Sequence, residues 1–409
     1  MADDLRELWR QFPLIAGERA GGRVYLDSAA TMQVPQTVLD AVTRFYTREN
    51  GGVHRGVHRY GTASTRAYEG AREAAAAYLG VGDPQSVIFT AGATASINLA
   101  AGLLAGRLAP GDEILTTGME HHSNLLPWRR LAERTGAVLR VIPVCPDTGA
   151  LDWAAFEAMP LGRVRIAAFT QLSNVTGIAL DLPVLCARLR RESRAAILVD
   201  GAQGVFHCPE APGLLDWDLY CFSGHKVGAP GGTGVLCVRR PLLDALEPVA
   251  YGGGMVYDVT EDGVLLYDDV RRFEAGSPNT AGAVGLAAAL DFWEGMDRAA
   301  LCRREDRLIQ MARDGLARFP SIRVLGEGGG RGCLSFVGRG GSSLDWARLY
   351  DAQGIAVRAG HHCAAPYLKS MGCGSAVRLS VAPYNTAEDI QAFLRATERI
   401  VQMMEAVRA

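Results

Sequence analysis

Seven short apolar runs, separated by stretches of helical pattern, constrain this chain's fold more than any other feature. They lie at 87–89, 113–115, 138–144, 164–169, 196–199, 219–222 and 234–238. Helix-like segments stand between several of them, at 93–104, 125–135 and 182–192. A strand buried on both faces reads as a continuous apolar run, and alternation of such strands with helices favours a mainly parallel sheet covered by helices. The expected class is therefore α/β. After about residue 280 the pattern changes. A long Ala/Leu-rich helix (281–295) leads into a second helix, then strands near 322–325 and 333–337, a helix at 344–353, strands at 355–358 and 377–381, and a last helix after "YNTAED". That order reads as a smaller α+β domain. Asn385 with Glu388 three residues on fits a helix cap. "GEGGGRG" and "GRGGSS" are loops within it, because strand-like segments resume at once. The expected division is a 1–20 segment packing on the small domain, a large α/β domain at 21–280 and a small domain at 281–409.

In an open α/β sheet the ligand crevice lies beyond the carboxyl ends of the strands. Asp200 follows one apolar run in "AILVDGAQ", and Lys226 follows another in "DLYCFSGHK". The two strands thus deliver a carboxylate and an amine to one cleft. Pyridoxal phosphate (PLP) needs that pair, a Lys for the Schiff base and an acid opposite the pyridinium nitrogen.

Composition excludes several other classes. With 409 residues, 48% hydrophobic and 21% charged, the chain is an ordinary globular one, too long for one small core. A net charge of −2 offers no basic field for nucleic acid. "MADDLRELWRQFPLI" lacks the basic start and apolar core of a signal peptide, and no apolar stretch is long enough to span a bilayer. A cytoplasmic protein with no membrane partner is expected. The nine cysteines form no C-x-x-C pair, so a disulfide framework is not expected. Cys186, Cys221, Cys237 and Cys302 sit in apolar settings typical of packing cysteines. Cys363, in "RAGHHCAAP", lies instead beside two histidines.

Other polar groups gather near the strand ends. "FTAGATAS" runs from strand through a Gly turn into a helix, where backbone N–H groups and Thr94 suit a phosphate, although Thr94 also reads as a plain cap. "GMEHHSN" offers His121 and His122, of which only one can enter the cleft if both lie on a strand. Asn174 in "QLSNVTG" and Gln203 in "DGAQG" stand just past strand ends, where turn residues are also common. Ser223 and His225 flank Lys226 closely enough to hold an anion. Arg378, alone in the apolar run "AVRLSVA", reads as a surface salt bridge or as a bidentate clamp on a substrate carboxylate. Cys363 reads as a nucleophile on a Gly-containing loop or, with His361 and His362, as a metal ligand; three adjacent side chains diverge too far to share one ion comfortably.

The chain resembles the class V, aminotransferase-fold cysteine desulfurases, within them the group II branch of Suf-type desulfurases, cysteine sulfinate desulfinases and selenocysteine lyases. "VYLDSAAT", "VHRGVHRY", "EHHSNLLPW", "SNVTG", "VDGAQG", "FSGHK", "FEAGSPNT", "RAGHHCAAP" and "PYNT" occur in the family order over nearly the whole chain. "R-x-G-H-H-C-A" carries the group II likeness. The resemblance implies a PLP-dependent transferase fold of type I. It matches Lys226 to the Schiff-base Lys, Asp200 to the pyridinium partner and His122 to the ring stacked on the cofactor. Thr94, Ser223 and His225 match phosphate ligands, and Gln203 and Asn174 match groups near the cofactor 3-hydroxyl and the substrate. Arg378 matches the substrate-carboxylate Arg, and Cys363 the sulfur-accepting nucleophile. Ser277 matches a residue reaching the neighbouring subunit's phosphate, which implies a homodimer. Implied too are L-cysteine as substrate, L-alanine as product, a Cys363 persulfide and a sulfur-acceptor protein for iron–sulfur cluster assembly. The alternatives are selenocysteine lyase or cysteine sulfinate desulfinase activity and, outside enzymes, a sulfur-relay scaffold. Ala91 and Ala93 depart from the family's usual Arg and Thr, and "HKVGAPGGTG" from its usual lysine loop. Cys373 matches no family role.

Overall fold

The computed structural model describes Leu5, residues 7–328 and residues 330–406. Part of the N-terminal segment (1–4 and 6) and Gly329 of "GEGGGRG" lie outside the described residues. Seven strands make the central sheet: β1 (Val87–Thr90), β2 (Glu113–Thr117), β3 (Val138–Ile142), β4 (Val164–Thr170), β5 (Ala196–Asp200), β6 (Leu219–Ser223) and β7 (Gly234–Val238). Their spatial order is β1-β7-β6-β5-β4-β2-β3. All pairings are parallel except those of β7, which runs antiparallel to β1 and β6. The reason is the link from Ser223 to Gly234, too short for the crossover that a parallel return requires.

β5, β6 and β7 are buried at every position, which is why they read as unbroken apolar runs. Alternate residues serve opposite faces. Ile197, Val199, Tyr220 and Phe222 enter one core, and Ala196, Leu198, Leu219 and Cys221 the other. Helices Ala93–Leu104 and Leu126–Thr135 cover the second face.

The later part of the chain forms an antiparallel sheet of β8 (Ile322–Leu325), β9 (Cys333–Gly338), β10 (Arg358–Gly360) and β11 (Ala376–Ser380), ordered β8-β9-β11-β10. Helices Arg298–Leu316, Ser343–Asp351 and Ala387–Ala406 pack around it over a core of its own. Helix Thr280–Glu294 lies instead against Gln36–Arg44 and Arg59–Leu79, so the packing partner changes after it. Val24–Tyr25 pairs with Ile355–Ala356 in a separate two-stranded sheet, and Arg19 meets Asp389 at 2.7 Å.

The cap of the last helix differs from expectation. Asn385 turns its side chain back to the Ala382 N–H and donates to the Tyr25 carbonyl, while Asp389 accepts from the Thr386 N–H at 3.0 Å. Asn385 instead ties the approach to helix Ala387–Ala406 to the strand Val24–Tyr25. Among the described residues no helix is long and apolar enough to cross a membrane. All nine cysteines are unpaired.

Candidate active site

A cavity of about 230 Å³ opens beyond the carboxyl ends of β4, β5 and β6. Lys226 and Asp200 both line it. Asp200 is buried, and one carboxylate oxygen accepts the Ala202 N–H at 2.9 Å. Burial pushes its pKa up to about 6, against the pull of that N–H and of Lys226. Lys226 ends the single turn Gly224–Lys226 that follows β6. Its ammonium donates to the Ala29 carbonyl and, at 3.0 Å, to that of Ala30. Burial, then the charges of Arg378 and Arg358, bring it down to about 7. Among the described residues it donates only to those carbonyls, so the amine sits close to its neutral, nucleophilic form.

The floor for an anion comes from a close approach of two backbone segments. Gly92 adopts φ +139°, and a side chain on Gly234 would meet the Gly92 backbone at 2.4 Å. This contact brings the start of helix Ala93–Leu104 against β6, where the Ala93 N–H donates to Ser223 Oγ at 2.8 Å. Thr94 Oγ1 pairs with Ser123 Oγ at 2.7 Å. Thr94, Ser123, Ser223 and His225 share this wall of the cavity. Burial and then the neighbouring Lys226 take His225 down to about 4. It faces the cleft as a neutral imidazole.

The histidine pair needs a correction. His121 lines the cavity; His122 does not. The pair lies beyond β2 rather than on a strand: His121 caps the turn His122–Asn124, its Nδ1 accepting the Ser123 N–H at 3.1 Å. His122 is turned toward His361 and Cys363 instead. Beneath this loop sits Glu120, which the sequence reading passed over. Its buried carboxyl accepts from Thr117 Oγ1 (2.6 Å), Asn124 Nδ2 (2.6 Å) and the Thr170 N–H (3.0 Å). Burial pushes its pKa up to about 8, against the pull of those three donors. Its only signal in the sequence was an acid beside a histidine pair.

On the small-domain side, Arg378 is buried. It donates to the Asn174 carbonyl and to Asp27, both at 3.0 Å, and among the described residues its Nε has no partner. Arg358 stands directly opposite it in the β10–β11 register, and both line the cavity. Like charges opposed across a ladder are destabilising unless an anion lies between them. Arg358 opens the "RAGHHC" motif but was not singled out, because the register that sets it beside Arg378 is not written in the sequence. Gln203 donates to the Ala29 carbonyl at 2.9 Å, and Asn174 to the His362 carbonyl at 2.8 Å. His362 turns into the cavity wall, Nε2 at 3.0 Å from the Ala376 carbonyl, and burial takes it down to about 3.

Cys363 follows at the rim, half-buried and outside the cavity wall. His362 and Cys363 both adopt left-handed backbone, φ +49° and +55°. Ser277 is exposed and also outside this cavity; it borders a separate depression with His54, Arg55 and Gly254.

Residues 24–393 match the model of the family described as "Aminotransferase class-V". A "Probable cysteine desulfurase" of Vibrio cholerae is 41% identical over 93% of this chain and 94% of its own length. The crystal structure of the cysteine desulfurase CsdA from Escherichia coli superposes with a TM-score of 0.88 at 38% identity, covering 96% of this chain and 97% of that one. An apo cysteine desulfurase from Thermococcus onnurineus gives a TM-score of 0.91 at 34% identity, covering 98% of each chain.

Proposed function

Because this chain belongs to the class-V aminotransferase family, we propose that the cleft between Lys226, Asp200 and the paired arginines is where cysteine is desulfurated. The enzyme is a PLP-dependent cysteine desulfurase, and L-cysteine is its substrate. The cavity suits the cofactor: a near-neutral amine, a buried acid on the neighbouring strand end, and a helix start with hydroxyls for a phosphate. In our reading Lys226 and Asp200 hold its aldehyde and ring-nitrogen ends. Thr94, Ser223 and His225 hold its phosphate, Gln203 lies near its 3-hydroxyl, and His121, rather than His122, stacks on its ring. When bound, the cofactor supplies an electron sink for the substrate's α-carbon.

The chain's own groups carry the rest. Arg378 and Arg358 clamp the cysteine carboxylate, with Asn174 holding the loop beside it. Lys226 moves the α-proton. The Cys363 thiolate forms an S–S bond to the substrate sulfur as the substrate's Cβ–S bond breaks, and protonation of that carbon yields alanine. The cross-strand pair of arginines carries the reading: two guanidiniums line the cavity side by side, and Asp27 meets only one amino group of Arg378.

The group II assignment and a sulfur-acceptor protein for iron–sulfur assembly belong to the same proposal. So does a homodimer, supported by Ser277 facing away from its own cleft and by exposed Tyr257, Val259, Val264 and Leu265 on the nearby hairpin. A cytoplasmic setting is supported by nine unpaired thiols. Mass spectrometry after cysteine treatment tests the central step. A sulfur adduct of ~32 Da is expected on Cys363 from the covalent relay. An adduct on Cys373 alone moves the nucleophile there, and a fully active Cys363→Ala enzyme refutes it.

A further inference from the structure

The strained turn at the cleft rim gathers more than one nucleophile. One ring nitrogen each of His122 and His361 and the Cys363 sulfur all lie within 4.8 Å of one another. The two rings are 5.7 Å apart between centroids and tilted by 34°. Sequence adjacency suggested His361, His362 and Cys363; the fold turns His362 inward and brings His122 from the far loop in its place.

The hydrogen bonds tell where the lone pairs point. His122 Nε2 accepts the Ala365 N–H, and His361 Nδ1 accepts the Cys363 N–H, both at 3.2 Å. Both nitrogens are therefore engaged by backbone N–H groups of the short turn that carries the thiol, each at 3.2 Å. A tetrahedral ion with Zn–N near ~2.0 Å and Zn–S near ~2.3 Å wants these donors roughly 3.3–3.5 Å apart. The cluster must close by about an ångström, in a turn where two non-glycine residues already sit in left-handed conformation. Two imidazoles and a thiolate form a borderline-soft set that suits Zn2+ rather than Mg2+ or Ca2+.

We propose that His122, His361 and Cys363 form a reversible site for Zn2+ or a like soft divalent cation, with the fourth position open to water or to a substrate thiol. Binding releases the Cys363 thiol proton, displaces two weak backbone contacts and occupies the sulfur that attacks the substrate. The ion thereby halts desulfuration while leaving PLP in place. That consequence rests on the functional reading above; the binding itself does not.

The test uses PLP-loaded enzyme and two probes. Co2+ should give the d–d absorption of a tetrahedral thiolate site, at wavelengths beyond the PLP band. Zn2+ should protect Cys363 from iodoacetamide, read by peptide mass spectrometry. His122→Asn and His361→Asn should each weaken that protection ~10-fold or more, and Cys363→Ser should remove the Co2+ signal. PLP absorbance and circular dichroism confirm that each variant is folded, and metal-free His361→Asn should desulfurate cysteine as the wild type does. Protection unchanged in both histidine variants, or no tetrahedral Co2+ spectrum in the wild type, overturns the site. A wild type that binds Co2+ as expected but releases no alanine when metal-free leaves the site standing and refutes the desulfurase reading instead.

Discussion

The floor of the cleft and its rim are built on opposite plans. Asp200 ends a strand whose every residue is buried, Lys226 ends the turn that follows another such strand, and each of the two groups is held by backbone partners. Cys363 sits in a half-exposed turn with two left-handed residues and long hydrogen bonds. A cofactor that must stay is gripped by the rigid sheet, whereas a thiol that must reach first the substrate and then a second molecule is carried on a segment that can yield.

Substitutions that separate the two regions test this contrast. Lys226→Ala should give the largest effect, a loss of ~10⁴-fold or more in alanine release, since both the cofactor's anchor and the proton carrier vanish. Borohydride treatment of the wild type should fix PLP on Lys226; label on another lysine breaks the assignment of the floor. Next comes Arg378→Lys. Loss of the planar fork, with Asp27 left poorly paired, should raise KM for cysteine ~10–100-fold with a smaller change in kcat. A kcat-only defect would move the carboxylate clamp elsewhere.

The pH dependence of cofactor capture is a smaller effect with a definite sign. The folded protein holds Lys226 down to about 7, so the neutral amine dominates above neutrality. The rate at which apoprotein takes up PLP should fall about tenfold per pH unit below 7 and level off above it. A rate still climbing toward pH 10 would show an ordinary exposed lysine. The same depressed pKa means that burying the charged amine costs stability below about 7, and that this cost fades as pH rises toward ~10. The smallest expected change is in stability at the rim: Cys363→Ala should leave unfolding within about 0.5 kcal/mol of wild type, as for other partly exposed loop positions. A larger loss in thermal or chemical melting would make Cys363 a packing residue and erase the contrast between floor and rim.

Much of the floor was legible beforehand. Strands β1 to β7 and the helices Ala93–Leu104 and Leu182–Glu192 stand where apolar runs and helical periodicity put them; for β5, β6 and β7 the reason is burial at every position, which leaves a one-dimensional trace. Asp200, Lys226, Ser223 and Gln203 were findable by the same rule, each lying at a strand end or just past one. The rim was much less so. The family likeness named His122 as the ring on the cofactor, but the pair lies in a turn rather than on a strand, and His121 is the one that lines the cavity.

What the sequence determined by itself is the alternation of buried strands and helices and, with it, the line along which functional side chains fall. Those properties depend on near neighbours in the chain and on the period of the backbone. Tertiary structure alone decided that Arg358 stands beside Arg378, that His121 rather than His122 faces the cavity, and that His122 meets His361 and Cys363 across some 240 residues. Register between strands and the meeting of distant loops are set by long-range packing, including a core that joins strands of the large sheet to Ala364, Tyr367 and Tyr384. No local pattern carries that information, because the contacts that settle it are made only when the chain has closed.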